Sequence, residues 1–156
     1  MTEEKEEKKM TKEEKAAYDA KMKEIRLMEM DPYIKIFVYG TLQDPKLIKE
    51  LDLQLITMEP AQLKGFHSYC RKEFPYPVAK PKEEGNINGT VFTAKKASLA
   101  AIDGFYEVRG EFFMRSIVPI TLTDSGREVK AFTYEQGPEI EDEELTGEWK
   151  SPVYSY

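Results

Sequence analysis

The chain has 156 residues, with 23 basic and 29 acidic side chains and a formal charge of −6. One Cys and one His leave no disulfide framework within the chain and no Cys-rich or His-based zinc site, and the acidic balance argues against nucleic acid, which calls for a basic face. No apolar run approaches the ~20 residues that cross a bilayer, and the charged start lacks the apolar core of a signal peptide, so the expectation is a soluble cytoplasmic domain, either a small enzyme working through carboxylates or hydroxyls or a binding module.

Residues 1–30 form a charged N-terminal arm without Gly or Pro, rich in Glu and Lys. Residues 1–10 offer too little apolar surface to offset the entropy of ordering and read as frayed or disordered. Tyr18, Met22 and Ile25 recur at helical spacing, which predicts an amphipathic helix over about 11–30. Asp31-Pro32 ends it, because the residue before proline avoids the α region. This helix is either a solvated arm or the contact for a second copy or a partner, so a homo-oligomer through it is one expectation.

The domain proper spans 31–156. Tyr33–Tyr39 is a β-rich run ended by Gly40, and Thr41–Asp44 is a turn. Asp44 suits an N-cap and Pro45 the first helical position, so a short helix follows with Leu47, Ile48 and Leu51 on one face. Residues 53–70 read as strand, turn and strand around Glu59-Pro60. Phe74–Pro77 and Lys80-Pro81 read as proline-fixed extended loop, and Gly85–Gly89 as a turn into a strand at Thr90–Thr93. Lys95–Asp103 is a short helix with Leu99 and Ile102 inward. Phe112–Leu122 and Val129–Tyr134 are strands joined by a hairpin at Asp124–Gly126. The acidic stretch Glu135–Glu148 reads as a solvated tail or loop. Strands outnumber helices and follow one another through turns, so the class is α+β.

Two constellations carry chemistry. In Phe37–Leu42 a strand runs into Gly and Thr before a helix, which exposes successive backbone N–H groups that can hold a carboxylate or an oxyanion; a plain turn is the simpler alternative. In Ile102–Glu107, followed by Phe112–Arg115, carboxylates sit among aromatic rings. A carboxylate desolvated by rings has a raised pKa and serves as a general acid or base. Asp103 and Glu107 are the candidates; equally, Asp103 could cap or pair and Glu107 could be solvated. Tyr76, held between prolines, suits a pocket wall. His67 reads as a strand surface residue and Cys70 as structural.

Together these segments resemble the γ-glutamylcyclotransferase-like family, in its AIG2-like branch, over about residues 33–150. Phe37–Leu42 resembles the family's opening Val-Tyr-Gly-Thr-Leu segment, Ala61–Phe66 its second strand, Tyr76-Pro77 its proline loop and Gly89–Phe92 its Gly-Glu-Val-Tyr strand. Leu99–Glu107 resembles the Leu-Asp-x-Phe-Glu segment that carries the catalytic glutamate. Ala131–Tyr134 resembles the last barrel strand, and Gly147–Trp149 the Gly-Asp-Trp terminus. Two departures stand out. The glutamate usually falls three residues after the aspartate, whereas Asp103 to Glu107 is four, an added residue expected to be absorbed around Gly104. Phe113 stands where the family has Tyr before x-Arg.

The resemblance implies a small mixed β-barrel flanked by short helices, with the N-terminal helix as an addition. It implies an enzyme that cyclises a γ-glutamyl amine or γ-glutamyl amino acid to 5-oxoproline, with no cofactor or metal. Glu107 would be the base. Tyr39, Gly40, Thr41 and Leu42, with Tyr76 and Arg115, would bind the substrate. The expected partners are the small-molecule γ-glutamyl substrate and a second copy through the N-terminal helix, with neither nucleic acid nor membrane. A non-catalytic binding or interaction module on the same barrel is the alternative.

Overall fold

The structure, a computed structural model, describes residues 10–149. The expectation of disorder for residues 1–10 lies outside the described residues except at Met10. The chain divides into two compact units, Met1–Asp31 and Pro32–Tyr156. In the first unit α1 covers Lys12–Met30. Thr11 caps it, accepting from the Glu14 N–H while the Glu14 side chain accepts from the Thr11 N–H, a reciprocal pair that satisfies two otherwise unpaired donors.

The second unit contains β1 (Tyr33–Val38), α2 (Pro45–Glu50), β2 (Leu55–Arg71), β3 (Phe74–Lys95), α3 (Ser98–Phe105), β4 (Phe113–Leu122), β5 (Glu128–Gln136) and β6 (Leu145–Glu148). Strands β1, β3, β2, β4 and β5 pair in that order, and β5 returns to β1, closing a barrel with β6 on the end of β2. The closing pair is parallel, Ile36 against Phe132, and the other barrel pairings around the ring are antiparallel, so the barrel is mixed. Closure pairs β1 with β5, so neither is left as a free edge of the barrel. Alternate residues turn inward, and Phe37, Tyr39, Leu63, Ile87, Val91, Val118, Ile120 and Ala131 belong to the interior cluster.

Local signals acted largely as expected at α2, where the Asp44 carboxylate accepts from the Lys46 N–H at 3.0 Å and Pro45 opens the helix. At the β4–β5 hairpin Gly126 takes φ +73°. Three expectations need correction. The strand, turn and strand expected over 53–70 are one strand, Leu55–Arg71, because β2 pairs with β3 through Pro60. Phe74–Pro77 and Lys80-Pro81 belong to β3, and the expected turn at Gly85–Gly89 lies within it. Proline costs a strand its N–H only where a neighbour would accept it, and on the side away from β2 this half of β3 meets β5 only at Ala79. The β2–β3 pairing is broken instead by an irregularity that sets residues 82–85 opposite Gly65, which takes φ +84°.

The third correction concerns Glu135–Glu148, which is fastened rather than loose. Glu144 pairs with Arg71 at 3.0 Å and Asp142 with Lys80 at 2.8 Å, and the segment ends in β6. Helix α3 starts at Ser98, later than expected; Leu99 and Ile102 do point inward, at 9% and 0% exposure. Among the described residues no helix is long and apolar enough to cross a membrane.

Candidate active site

The end of β1 delivers Tyr39 into the barrel, where it is fully buried. Its hydroxyl donates to the Tyr134 carbonyl at 2.5 Å and accepts from the Ala79 N–H at 3.1 Å, tying β1 to β5 and β3. Burial, then the nearby Tyr106 hydroxyl, pushes Tyr39 well above the usual tyrosine range. Gly40 follows, and a Cβ there would stand 2.5 Å from the Pro77 ring, so glycine is what lets this loop lie against the proline. Thr41–Gln43 is a 3-10 turn. Such a turn leaves its first N–H groups, those of Thr41 and Leu42, without internal acceptors. Gln43 clamps the loop, donating to the Gly40 carbonyl at 3.3 Å and accepting from the Thr90 hydroxyl at 2.8 Å.

Helix α3 runs through Gly104 to Phe105 without a break, so no residue is absorbed at Gly104. Tyr106, three residues after Asp103, therefore turns inward and is buried, and Glu107 turns outward and is exposed. Tyr106 stacks on Tyr134 with ring centres 4.3 Å apart and planes 12° from parallel, and meets Phe113 edge-on at 5.1 Å. Phe113 in turn faces Tyr76 at 6.0 Å. Glu107 takes φ +50° in a tight turn whose carbonyl accepts from both Gly110 and Phe112.

The Glu107 side chain lines a cleft of about 610 Å3 with Asp103, Arg109 and Phe112. None of Tyr39–Leu42 is among the described residues that line it. Tyr39 lines a separate recess, and Tyr76, Phe113 and Tyr106 form a column of touching rings. Glu107 lies near enough to Tyr76 to help raise its hydroxyl, although burial is the larger cause and Arg71 opposes it.

The remaining expected residues have structural partners. Arg115 pairs with Asp103 at 2.7 Å, and the other Asp103 oxygen accepts from the Tyr134 hydroxyl at 2.5 Å. Burial, then that hydrogen bond, pushes Tyr134 far up. Tyr76 accepts from Arg71 at 2.7 Å, and the Arg71 guanidinium lies 3.8 Å over the Phe74 ring. His67, half-buried on β2, stands edge-on to Tyr69 at 4.8 Å. Tyr134 carries no site signal in the sequence, whereas Tyr106 falls at the usual three-residue spacing after Asp103 and is passed over because it cannot act as a carboxylate base. The available signal was the i, i+3 spacing of Asp103 and Tyr106 on one helical face. Among the described residues no group of three or more His, Cys, Asp or Glu could hold a metal ion.

Comparison with known proteins gives a consistent picture. "Protein AIG2 B" of Arabidopsis thaliana is 32% identical over 114 residues, covering 73% of this chain and 66% of its own length. "AIG2-like protein C" of the same plant is 32% identical over 115 residues, covering 73% and 64%. The chain therefore spans just under two thirds of the length of these relatives. A solution structure of another Arabidopsis thaliana protein superposes with a TM-score of 0.65 at 28% identity, covering 78% of this chain and 79% of that one. A structure titled gamma-glutamyl cyclotransferase gives 0.58 at 15% identity, covering 67% and 66%, a likeness of fold. The family description "Gamma-glutamyl cyclotransferase, AIG2-like" matches residues 36–151. With most of the chain inside that match and the closed mixed barrel beneath it, this protein belongs to the gamma-glutamyl cyclotransferase, AIG2-like family.

Proposed function

We propose that the chain is a cyclotransferase that converts a γ-glutamyl amine or γ-glutamyl amino acid into 5-oxoproline and the free amine or amino acid. In this reaction the substrate's α-amine attacks its own γ-carbonyl, a ring C–N bond forms and the bond to the leaving amine breaks. The nucleophile and the carbonyl belong to one molecule, so holding it folded supplies much of the rate. One carboxylate can take the proton from the attacking nitrogen and return it to the leaving one.

The observation that carries this reading is Glu107 standing in a cleft of about 610 Å3 beside Asp103 and Arg109. Glu107 has no side-chain hydrogen bond or ion pair among the described residues, whereas Asp103 is engaged by Arg115 and Tyr134. The uncommitted carboxylate is the one free to move a proton. A substrate in the cleft would displace water from around it. Arg109 would attract the substrate α-carboxylate.

The test is mass spectrometry for 5-oxoproline over a panel of γ-glutamyl amines and γ-glutamyl amino acids. Turnover is expected with at least one, and Glu107→Gln should lower it about a hundredfold or more, the usual range for a lost general base. Near-normal turnover in that variant would remove Glu107 from the role. A second reading, a binding module on the same barrel, is favoured by the exposure of Glu107 and the inward placement of Tyr106. Silence across the whole panel would support it against the cyclotransferase.

A further inference from the structure

Two residues of the loop that carries Glu107 sit in left-handed backbone, Glu107 itself at φ +50° and Glu111 at φ +63°. Residues other than glycine adopt this conformation at a cost, and they keep it only where surrounding contacts hold them there. Within the loop the Glu107 carbonyl accepts from Gly110 and Phe112, and the Val108 carbonyl accepts from Glu111. At the Glu111 end a further hold comes from a distant part of the chain.

That part is the acidic segment Gly137–Glu144. The Gly137 N–H donates to the Phe112 carbonyl at 2.9 Å, and the Glu139 N–H to the Glu111 carbonyl at 3.1 Å. The two backbones are so close that a Cβ on Gly137 would stand 2.2 Å from the Glu111 carbonyl oxygen. The segment is itself anchored. Ile140 is buried, and the Gln136 side-chain amide donates to the Ile140 carbonyl at 2.8 Å and to the Asp142 carboxylate at 2.9 Å. Lys80 pairs with Asp142 and Arg71 with Glu144. The Arg71 guanidinium also lies 5.6 Å over the ring of Phe112, which lines the Glu107 cleft. One buried arginine thus braces both the end of the segment and the end of the loop.

We propose that Gly137–Glu144 is a clasp that holds the loop 107–112 in its cleft-forming conformation, with Arg71, Asp142 and Glu144 as positioning residues for Glu107. Loosening the clasp frees Glu111 to leave the left-handed region, and the turn that aims the Glu107 side chain relaxes with it. The effect on turnover rests on Glu107 being the base; the hold on the loop does not, and it is measured without a substrate.

Two variants of the full chain test this. Asp142→Asn with Glu144→Gln removes both acidic charges of the clasp at partly exposed positions. Gly137→Ala drives a Cβ against the Glu111 carbonyl and leaves both ion pairs untouched. Amide hydrogen exchange followed by NMR should show the amides of Glu111, Phe112 and Glu139 exchanging at least about fivefold faster in each, with the β4–β5 ladder within about twofold of the parent. On a γ-glutamyl substrate that turns over, the Asp142→Asn, Glu144→Gln variant should lower kcat by about threefold or more, and should lower it no further in a Glu107→Gln background. Unchanged exchange at Glu111 and Phe112, or equal acceleration throughout the ladder, would overturn the clasp. An equal loss of kcat in the Glu107→Gln background would overturn the positioning role. Silence across the substrate panel with faster exchange at Glu111 and Phe112 would sink the cyclotransferase reading and support the clasp. Should Gly137→Ala fail to fold, the charge-removing variant decides the matter alone.

Discussion

Replacing Asp103 with Ala would remove the acceptor shared by Arg115 and Tyr134. The two bonds measure 2.7 and 2.5 Å. Hydrogen bonds to a charged group contribute about 1.5–3 kcal/mol each, but the Asp103 and Arg115 side chains are 29% and 22% exposed, so solvent screens part of that. Tyr134, at 0% exposure, would keep a hydroxyl without an acceptor, which itself costs about 1–3 kcal/mol. The net loss for Asp103→Ala should be about 2–4 kcal/mol. Tyr134→Phe removes one bond and leaves Asp103 paired with Arg115, so its loss should be about 1 kcal/mol. In the double variant no orphaned hydroxyl remains, and the combined loss should fall short of the sum by about 1 kcal/mol or more. Urea unfolding of the three variants, followed by circular dichroism, measures this from the midpoints at constant slope. Additivity within about 0.5 kcal/mol would refute the shared-acceptor account.

The pH dependence follows from the buried tyrosines. Tyr39, Tyr106 and Tyr134 are all raised, chiefly by burial, so the folded chain keeps their protons where the unfolded chain loses them. Their contribution to stability is intact below about pH 10 and lost as pH rises beyond it; absorbance near 295 nm should show these phenols ionising only as the fold melts, and titration before unfolding would contradict their burial. Gly89→Ala should destabilise by about 1–3 kcal/mol, because the new Cβ would run into the Val38 carbonyl and stand 2.8 Å from the Phe37 ring. Adding Phe37→Leu should recover little of the lost melting temperature, since the carbonyl cannot move aside; full recovery would mean the ring alone was the obstacle. Arg71→Lys should lower the melting temperature despite keeping the charge, since an ammonium cannot bond both Glu144 and Tyr76 while stacking on Phe74; an unchanged transition would show the pairing to be idle.

The legible parts of the sequence were those set by local chemistry. The Asp44-Pro45 start of α2, the Asp124–Gly126 hairpin and the inward Leu99 and Ile102 each follow from residues within a turn of one another. Prolines misled because their cost depends on whether a neighbouring strand needs the missing N–H, and that is decided by the distant β5. The acidic segment misled for a similar reason: Arg71 and Lys80, which fasten it, lie more than sixty residues earlier. At the candidate site, the Tyr39–Leu42 corner and the Asp103–Glu107 segment were both visible, but their relation was not. One residue of helical phase decides whether Tyr106 or Glu107 faces the barrel, and α3 keeps its phase through Gly104.

The closing of the barrel also bears on how its strands can come together. The β2–β3 ribbon needs only one continuous stretch of chain, and β1 can join it as soon as β3 exists. Those three strands by themselves make an open sheet with two raw edges, β1 on one side and β2 on the other. The β4–β5 hairpin covers both at once, β4 on β2 and β5 on β1. Chains emerge from the ribosome N-terminus first, so β1, β2 and β3 are available to pair before residues 113–136 arrive. Contacts this distant in sequence also form slowly. A chain cut short before the hairpin would keep both edges open to other chains, and its fate would be set by aggregation rather than by the stability of what had already folded.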